Sequence, residues 1–213
     1  MKSPLSTRVF GEPRFLNQSQ ISRFCRKVGK FDKRYRLNAS TTEVTDYGLP
    51  WWKDVRLYVA RDSCIPELSF FAALIYQDRL FRLDGTSPPI HNLNKELPPQ
   101  ITSDTALDYL RFFCLFVNGE EGPFYVFESM EDPLLPDGIE DEAIKKLVRP
   151  AELITESAEG YVCEAAVWYS NAIFFAHFVV QLDGRVEMKE DEPLLADLPH
   201  KIKLNLKLAP KTS

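Results

Sequence analysis

TSDTALDYLRFFCLFV, residues 102–117, is the stretch on which the fold turns. Thr102 or Ser103 stands where a helix cap is needed, and Asp104 falls in the first turn, where the helix dipole favours an acid. From Ala106 to Val117 nearly every residue is apolar, with Asp108 and Arg111 as the charged exceptions. A helix apolar almost all round belongs in the middle of a core. Asn118-Gly119 ends it. The expectation is a helix over 103–117 wrapped by strands.

On its C-terminal side the chain reads mainly as strands. Gly122-Pro123 leads into a short strand, 124–128. An acidic, proline-bearing loop, 130–138, precedes a short helix over 139–148 that Pro150 closes. Strands follow over 151–155, 161–169, 172–182 and 185–189, with Ser170-Asn171 and Asp183-Gly184 as hairpin turns. In the last segment Lys201, Lys203, Asn205 and Lys207 alternate with Ile202, Leu204, Leu206 and Leu208. That is an amphipathic strand whose lysine face suits a sheet edge.

Toward the N-terminus, Val55, Leu57 and Val59 alternate with Arg56, Tyr58 and Ala60, the pattern of a half-buried strand. The apolar run 68–76 suits a strand covered on both faces, and Gln77-Asp78 turns it into 79–83. Residues 85–100, GTSPPIHNLNKELPPQ, read as a loop. The Thr-rich segment 38–46 reads as a loop or a ragged edge strand. Ile21, Phe24, Cys25 and Val28 fall at i, i+3, i+4 and i+7, so 18–28 is an amphipathic helix capped by Asn17 or Ser19 and ended by Gly29.

The pattern predicts an α+β protein: a curved, mostly antiparallel sheet packed on one buried central helix, with two shorter helices. The expected organisation is a basic helix-and-loop segment, 1–50, docked on a body, 51–213, the whole forming one domain. Residues 70–93 and 174–198 echo each other. Both begin Phe-Phe-Ala, turn, return as a shorter strand and enter a proline-containing loop, as a duplicated unit or as two unrelated hairpins of similar composition would. C-terminal hairpins able to cup a helix resemble a cone-shaped, cystatin-like sheet in element order alone, which carries no function.

The chain has 213 residues, with 45% hydrophobic and 27% charged. This composition excludes disorder, collagen-like repeats and coiled coil for the chain as a whole. No apolar run approaches the length of about 20 residues that spans a membrane. The opening MKSPLSTRVFGEPRF is not a secretory signal, so a cytoplasmic location is expected. Cys25, Cys64, Cys114 and Cys163 are widely spaced and lack the paired spacing of a zinc site; reduced, mostly buried thiols are expected. Net charge is −5, yet residues 1–62 carry a balance of +7 and residues 63–213 one of −12. The basic segment also carries Phe24, Phe31, Tyr35 and Leu37, which favours its docking on the acidic remainder.

Motifs that fix a reaction are missing. No G-x-S-x-G, G-x-x-x-x-G-K-[ST] or G-x-G-x-x-G occurs, and no cofactor or metal is expected. The candidates for acid–base chemistry are His91, read as a loop residue, and His177, inside an apolar strand where burial lowers an imidazole pKa. Glu120 and Glu121, on a turn between glycines, are their carboxylate counterparts. Trp51-Trp52 stand out because adjacent strand residues point to opposite faces; one reading keeps one indole near the surface as a contact for a partner or ligand, and ordinary packing is the other, favoured account. Arg23, Arg26, Lys27, Lys30, Lys33, Arg34 and Arg36, with aromatics between them, form a candidate nucleic-acid segment, since cations neutralise phosphates and rings stack on bases; the acidic body opposes this.

The expected function is a non-catalytic module that binds a protein or small-molecule ligand in a groove between sheet and helices, with Trp51, Trp52 and His91 as contacts. A small enzyme using His91 or His177 with Glu120 or Glu121 is the alternative. Nucleic-acid binding through 23–36 is the third reading. A homo-oligomer is compatible with all three.

Overall fold

Asn17 starts the first helix with a reciprocal cap: its side chain accepts from the Gln20 amide at 3.0 Å, and the Gln20 side chain accepts from the Asn17 amide at 2.9 Å. The computed structural model describes residues 11–33, 35, 37–62, 70–131 and 142–201. Helix α1 (Gln18–Phe31) runs through Gly29 to a cap at Asp32, so the glycine does not end it. Its stripe of Ile21, Phe24 and Val28 is buried against Val44, Ala60, Phe71, Ala73 and Leu80 of a sheet. The basic segment therefore docks through its apolar face.

That sheet is antiparallel, in the order β1 (Arg14–Phe15), β2 (Thr42–Leu49), β3 (Trp52–Asp62), β4 (Phe71–Tyr76) and β5 (Arg79–Leu83). The Thr-rich segment is thus an inner strand. Thr42, Val44 and Asp46 are buried and alternate with exposed Glu43 and half-buried Thr45, and β-branched threonines suit a pleated surface. The 50/51 boundary falls inside the β2–β3 hairpin.

Residues 88–96 are helix α2 (Pro88–Glu96), which corrects the loop expected over 85–100. Pro88 at the first helical position lacks only an N–H that the first turn leaves unpaired anyway. Ile90 and Leu93 anchor the helix on the sheet's second face. Helix α3 (Ala106–Phe116) is the core helix, and every residue from Phe112 to Phe116 is buried. It starts later than expected because residues 102–105 form a turn, with the Thr105 hydroxyl accepting from the Thr102 amide at 2.9 Å.

Among the described residues the strands form two five-stranded sheets and one small two-stranded sheet, where one curved sheet was expected. After the short β6 (Asn118–Gly119) and β7 (Gly122–Pro123), the second sheet runs β12 (Val186–Leu195), β11 (Ala172–Gln181), β10 (Gly160–Tyr169), β8 (Tyr125–Val126), with β9 (Glu152–Glu156) also paired to β10. Helix α4 (Glu142–Leu147) precedes β9 and buries Ile144. Each expected hairpin, β4–β5 and β11–β12, closes its own antiparallel meander. The protein is α+β, its sheets are antiparallel, and one core joins both sheets to α2, α3 and Ile144. The expected strand over 201–208 and the residue Cys64 lie outside the described residues, as do 139–141 of the third expected helix. No helix among the described residues is long and apolar enough to cross a membrane.

Candidate binding groove along an edge strand

Strand β5 has no strand neighbour on its far side among the described residues. The two-residue turn Gln77-Asp78 fixes its register, with Gln77 in the left-handed region at φ 53°. In such a hairpin the flanking pair Tyr76/Arg79 exchanges main-chain bonds, and pairs then alternate. Leu74/Phe81 and Ala72/Leu83 are therefore bonded pairs. The N–H and C=O of Leu80 and Arg82 point the other way, off the sheet.

They point into a groove of about 710 Å³, within the range of ligand-binding sites. One wall is the end of α1, Phe31 and Asp32. The other is one face of α2: Pro88, Pro89, Asn92, Lys95 and Glu96 recur at helical spacing. The exit from β5 holds α2 in place. The Asp84 side chain accepts from the Thr86 amide at 3.1 Å, and the Gly85 carbonyl accepts from the Asn118 amide at 2.8 Å, at the end of α3. Gly85 has φ +91°, and a Cβ there would lie 2.7 Å from the Asn118 side chain.

The groove combines apolar anchors with restrained charge. Phe31 is 52% exposed, an unusual position for a phenylalanine. Arg79 pairs with Glu96 and its guanidinium lies 5.0 Å from the Phe81 ring centre. Arg82 lies 4.1 Å from the centre of the Tyr35 ring, and its Nε is buried without a hydrogen-bond partner. Among the described residues no main-chain hydrogen bond reaches Leu80 or Arg82 from beyond the sheet.

The sequence candidates are placed elsewhere. Trp51 and Trp52 are both buried, which corrects the reading that keeps one indole near the surface. Trp51 lies in the β2–β3 turn and Trp52 opens β3, so strand alternation does not separate them. Both pack on Tyr109 and Phe112 of α3, at centroid distances of 5.2 to 6.2 Å. His91 is on α2, half-buried against Phe113, and burial holds its pKa below the ordinary value.

His177 is on the outer face of β11 and half-exposed, whereas its apolar neighbours Ala176 and Phe178 point inward. Its Nε2 is 2.5 Å from Glu164 and its Nδ1 is 3.7 Å from Glu190. Glu121 instead meets Lys201 and Ser170, and Lys201 holds its pKa below the ordinary value. Glu120 and Glu121 sit on the β6–β7 turn. None of the four expected histidine–carboxylate combinations is brought together. The pair that does form, Glu164–His177, faces across two strands and had no local sequence signal, because its members are 13 residues apart.

Of the basic candidates, Arg23, Arg26, Lys30 and Lys33 are exposed and Lys27 is half-buried; Arg34 and Arg36 lie outside the described residues. Phe24 is buried and Tyr35 is covered by Arg82, so Phe31 is the ring of this segment left open to solvent. Cys25, Cys114 and Cys163 are free thiols. Burial pushes Cys114 up to about 12 and Cys163 up to about 11. No group of three or more His, Cys, Asp or Glu among the described residues is placed to hold a metal ion. Comparison with protein-family models, with curated proteins and with solved structures gave no match.

Proposed function

We propose that this chain is a non-catalytic binding module whose groove takes an extended segment of a partner protein as an added strand on β5. The observation that carries this reading is that the main-chain groups of Leu80 and Arg82 face away from β4, between two helical walls, with no hydrogen-bond partner among the described residues. Strand addition uses such an edge for affinity and the flanking walls for specificity. Alternate side chains of the segment meet Phe31 and Leu80 on one side and Phe81, Pro88 and Pro89 on the other.

Magnitudes set the expected strength. Four main-chain bonds contribute about 1 kcal/mol each. Two apolar anchors add about 2 kcal/mol each. Association costs at least about 4 kcal/mol. The net of about 4 kcal/mol corresponds to a Kd of roughly 1 mM, tightening about tenfold for each further 1.4 kcal/mol. The complex is transient unless a third anchor engages.

A displayed library of random linear peptides, selected on the immobilised protein, tests the reading. Selected peptides are expected to slow amide exchange at Leu80 and Arg82 and to lose binding to Arg82→Pro. That change removes an outward N–H and leaves the bonds to β4 intact. Peptides that leave both amides unprotected, or a library that yields no binder, overturn it.

A further inference from the structure

We propose a second site, sharing no residue with the groove: the cleft over Phe24 and Tyr58 binds a small organic carboxylate with an apolar body. The cleft has a volume of about 320 Å³ and is lined by Arg14, Leu16, Gln20, Arg23, Phe24, Lys27, Tyr58, Ile75 and Gln77. No acidic side chain is among these, although the protein as a whole is acidic at −5.

The cationic character follows from the local architecture. Asp46 is fully buried beside the cleft and accepts from two guanidinium groups, Arg14 Nε at 2.9 Å and Arg56 Nη2 at 3.0 Å. One carboxylate balances two arginines, so positive charge is left over. Arg23 and Lys27 then stand one turn apart on α1, an i,i+4 pair of like charges that disfavours the helix by a few tenths of a kcal/mol. Lys27 reaches Asp78 only at 3.4 Å, and Asp78 is fully exposed, so that pair neutralises little. An anion held between Arg23, Lys27 and the face of Arg14 relieves the repulsion.

The floor selects the rest of the ligand. Phe24 and Tyr58 stack at 5.4 Å with 17° between their planes, and Leu16 and Ile75 flank them. Burial raises the Tyr58 pKa, so its phenol stays protonated and is able to donate. An apolar body on this floor places its carboxylate at the cationic rim, where the arginine fork matches a carboxylate edge.

The experiment titrates the full chain with 3-phenylpropanoate, followed by amide and aromatic NMR shifts, with the uncharged 3-phenylpropan-1-ol as control. The expected result is saturable binding with shifts at Phe24 and Tyr58, at least about tenfold weaker for the alcohol and for the Arg23→Gln, Lys27→Gln double variant, a loss of about 1.4 kcal/mol. Both substituted side chains reach solvent and Arg14 is left in place, so the fold is expected to be retained. Three results overturn the proposal: no saturable binding, equal binding of the alcohol, or shifts confined to other residues. The alcohol comparison is made in the unaltered protein and decides the matter even if the double variant unfolds.

Discussion

Gly184 occupies a position that no side chain fits. Its φ is +81°, and a Cβ there would lie 2.3 Å from the Asn94 amide nitrogen and 2.5 Å from the Tyr109 hydroxyl. Those two groups form a buried relay: Asn94 Nδ2 donates to Tyr109 Oη at 3.1 Å, and Tyr109 donates to the Gly184 carbonyl at 2.8 Å. Gly184→Ala is expected to cost about 1–3 kcal/mol, read as a lower urea midpoint at unchanged slope. The Asp183-Gly184 turn was legible as a dipeptide. Its tie to Tyr109 was not, because the partners are 75 residues apart and nothing local marks a contact of that separation. His91 supplies a pH test. Burial holds its pKa below 6.5, so as pH falls past that value the unfolded chain takes up the proton first. Stability is then lost on acidification through the folded-state pKa. Wild-type protein is expected to lose more stability than His91→Gln between about pH 7 and pH 5 in paired urea titrations.

Elements are joined here by one charged knot. Arg111 of α3 donates to Glu128 from Nε at 2.7 Å and from Nη2 at 2.6 Å, and to Asp108 at 2.7 Å. Glu128 also accepts from the Ala151 amide at 2.7 Å, so the helix, the chain after β8 and the entry to β9 meet at one carboxylate. Burial raises the Asp108 pKa against the pull of Arg111, whereas at Arg111 burial, which lowers the pKa, is outweighed by Glu128 and Asp108 together, and the pKa is raised. Arg111→Ala leaves both acids short of their cation. It is expected to cost about 3 kcal/mol, measured by chemical denaturation. The core helix was readable because its composition leaves no alternative to burial. Helix α2 was not. Four prolines in sixteen residues suggest a loop, and the helical reading depends on Pro88 landing at the one turn that tolerates it. The groove shared that fate, since the open edge of β5 is a property of strand order, which periodicity does not encode.

At the scale of the whole molecule, the larger of two apolar clusters draws on both five-stranded sheets, and the smaller one seats α1 on the first sheet. The halves therefore unfold together. Calorimetry is expected to show one transition whose measured enthalpy equals the van't Hoff value, and two resolved peaks would contradict the shared core. Docking leaves the charge imbalance seen in sequence on the surface, since α1 buries its apolar stripe on the sheet and turns its cations outward. The three tryptophans, Trp51, Trp52 and Trp168, are all shielded from water, and none lines the groove or the cleft. Their native emission is consequently blue-shifted and insensitive to occupancy at either place, so a titration followed by intrinsic fluorescence reports silence even when a ligand binds. Phe31→Trp would put a lamp on the wall itself.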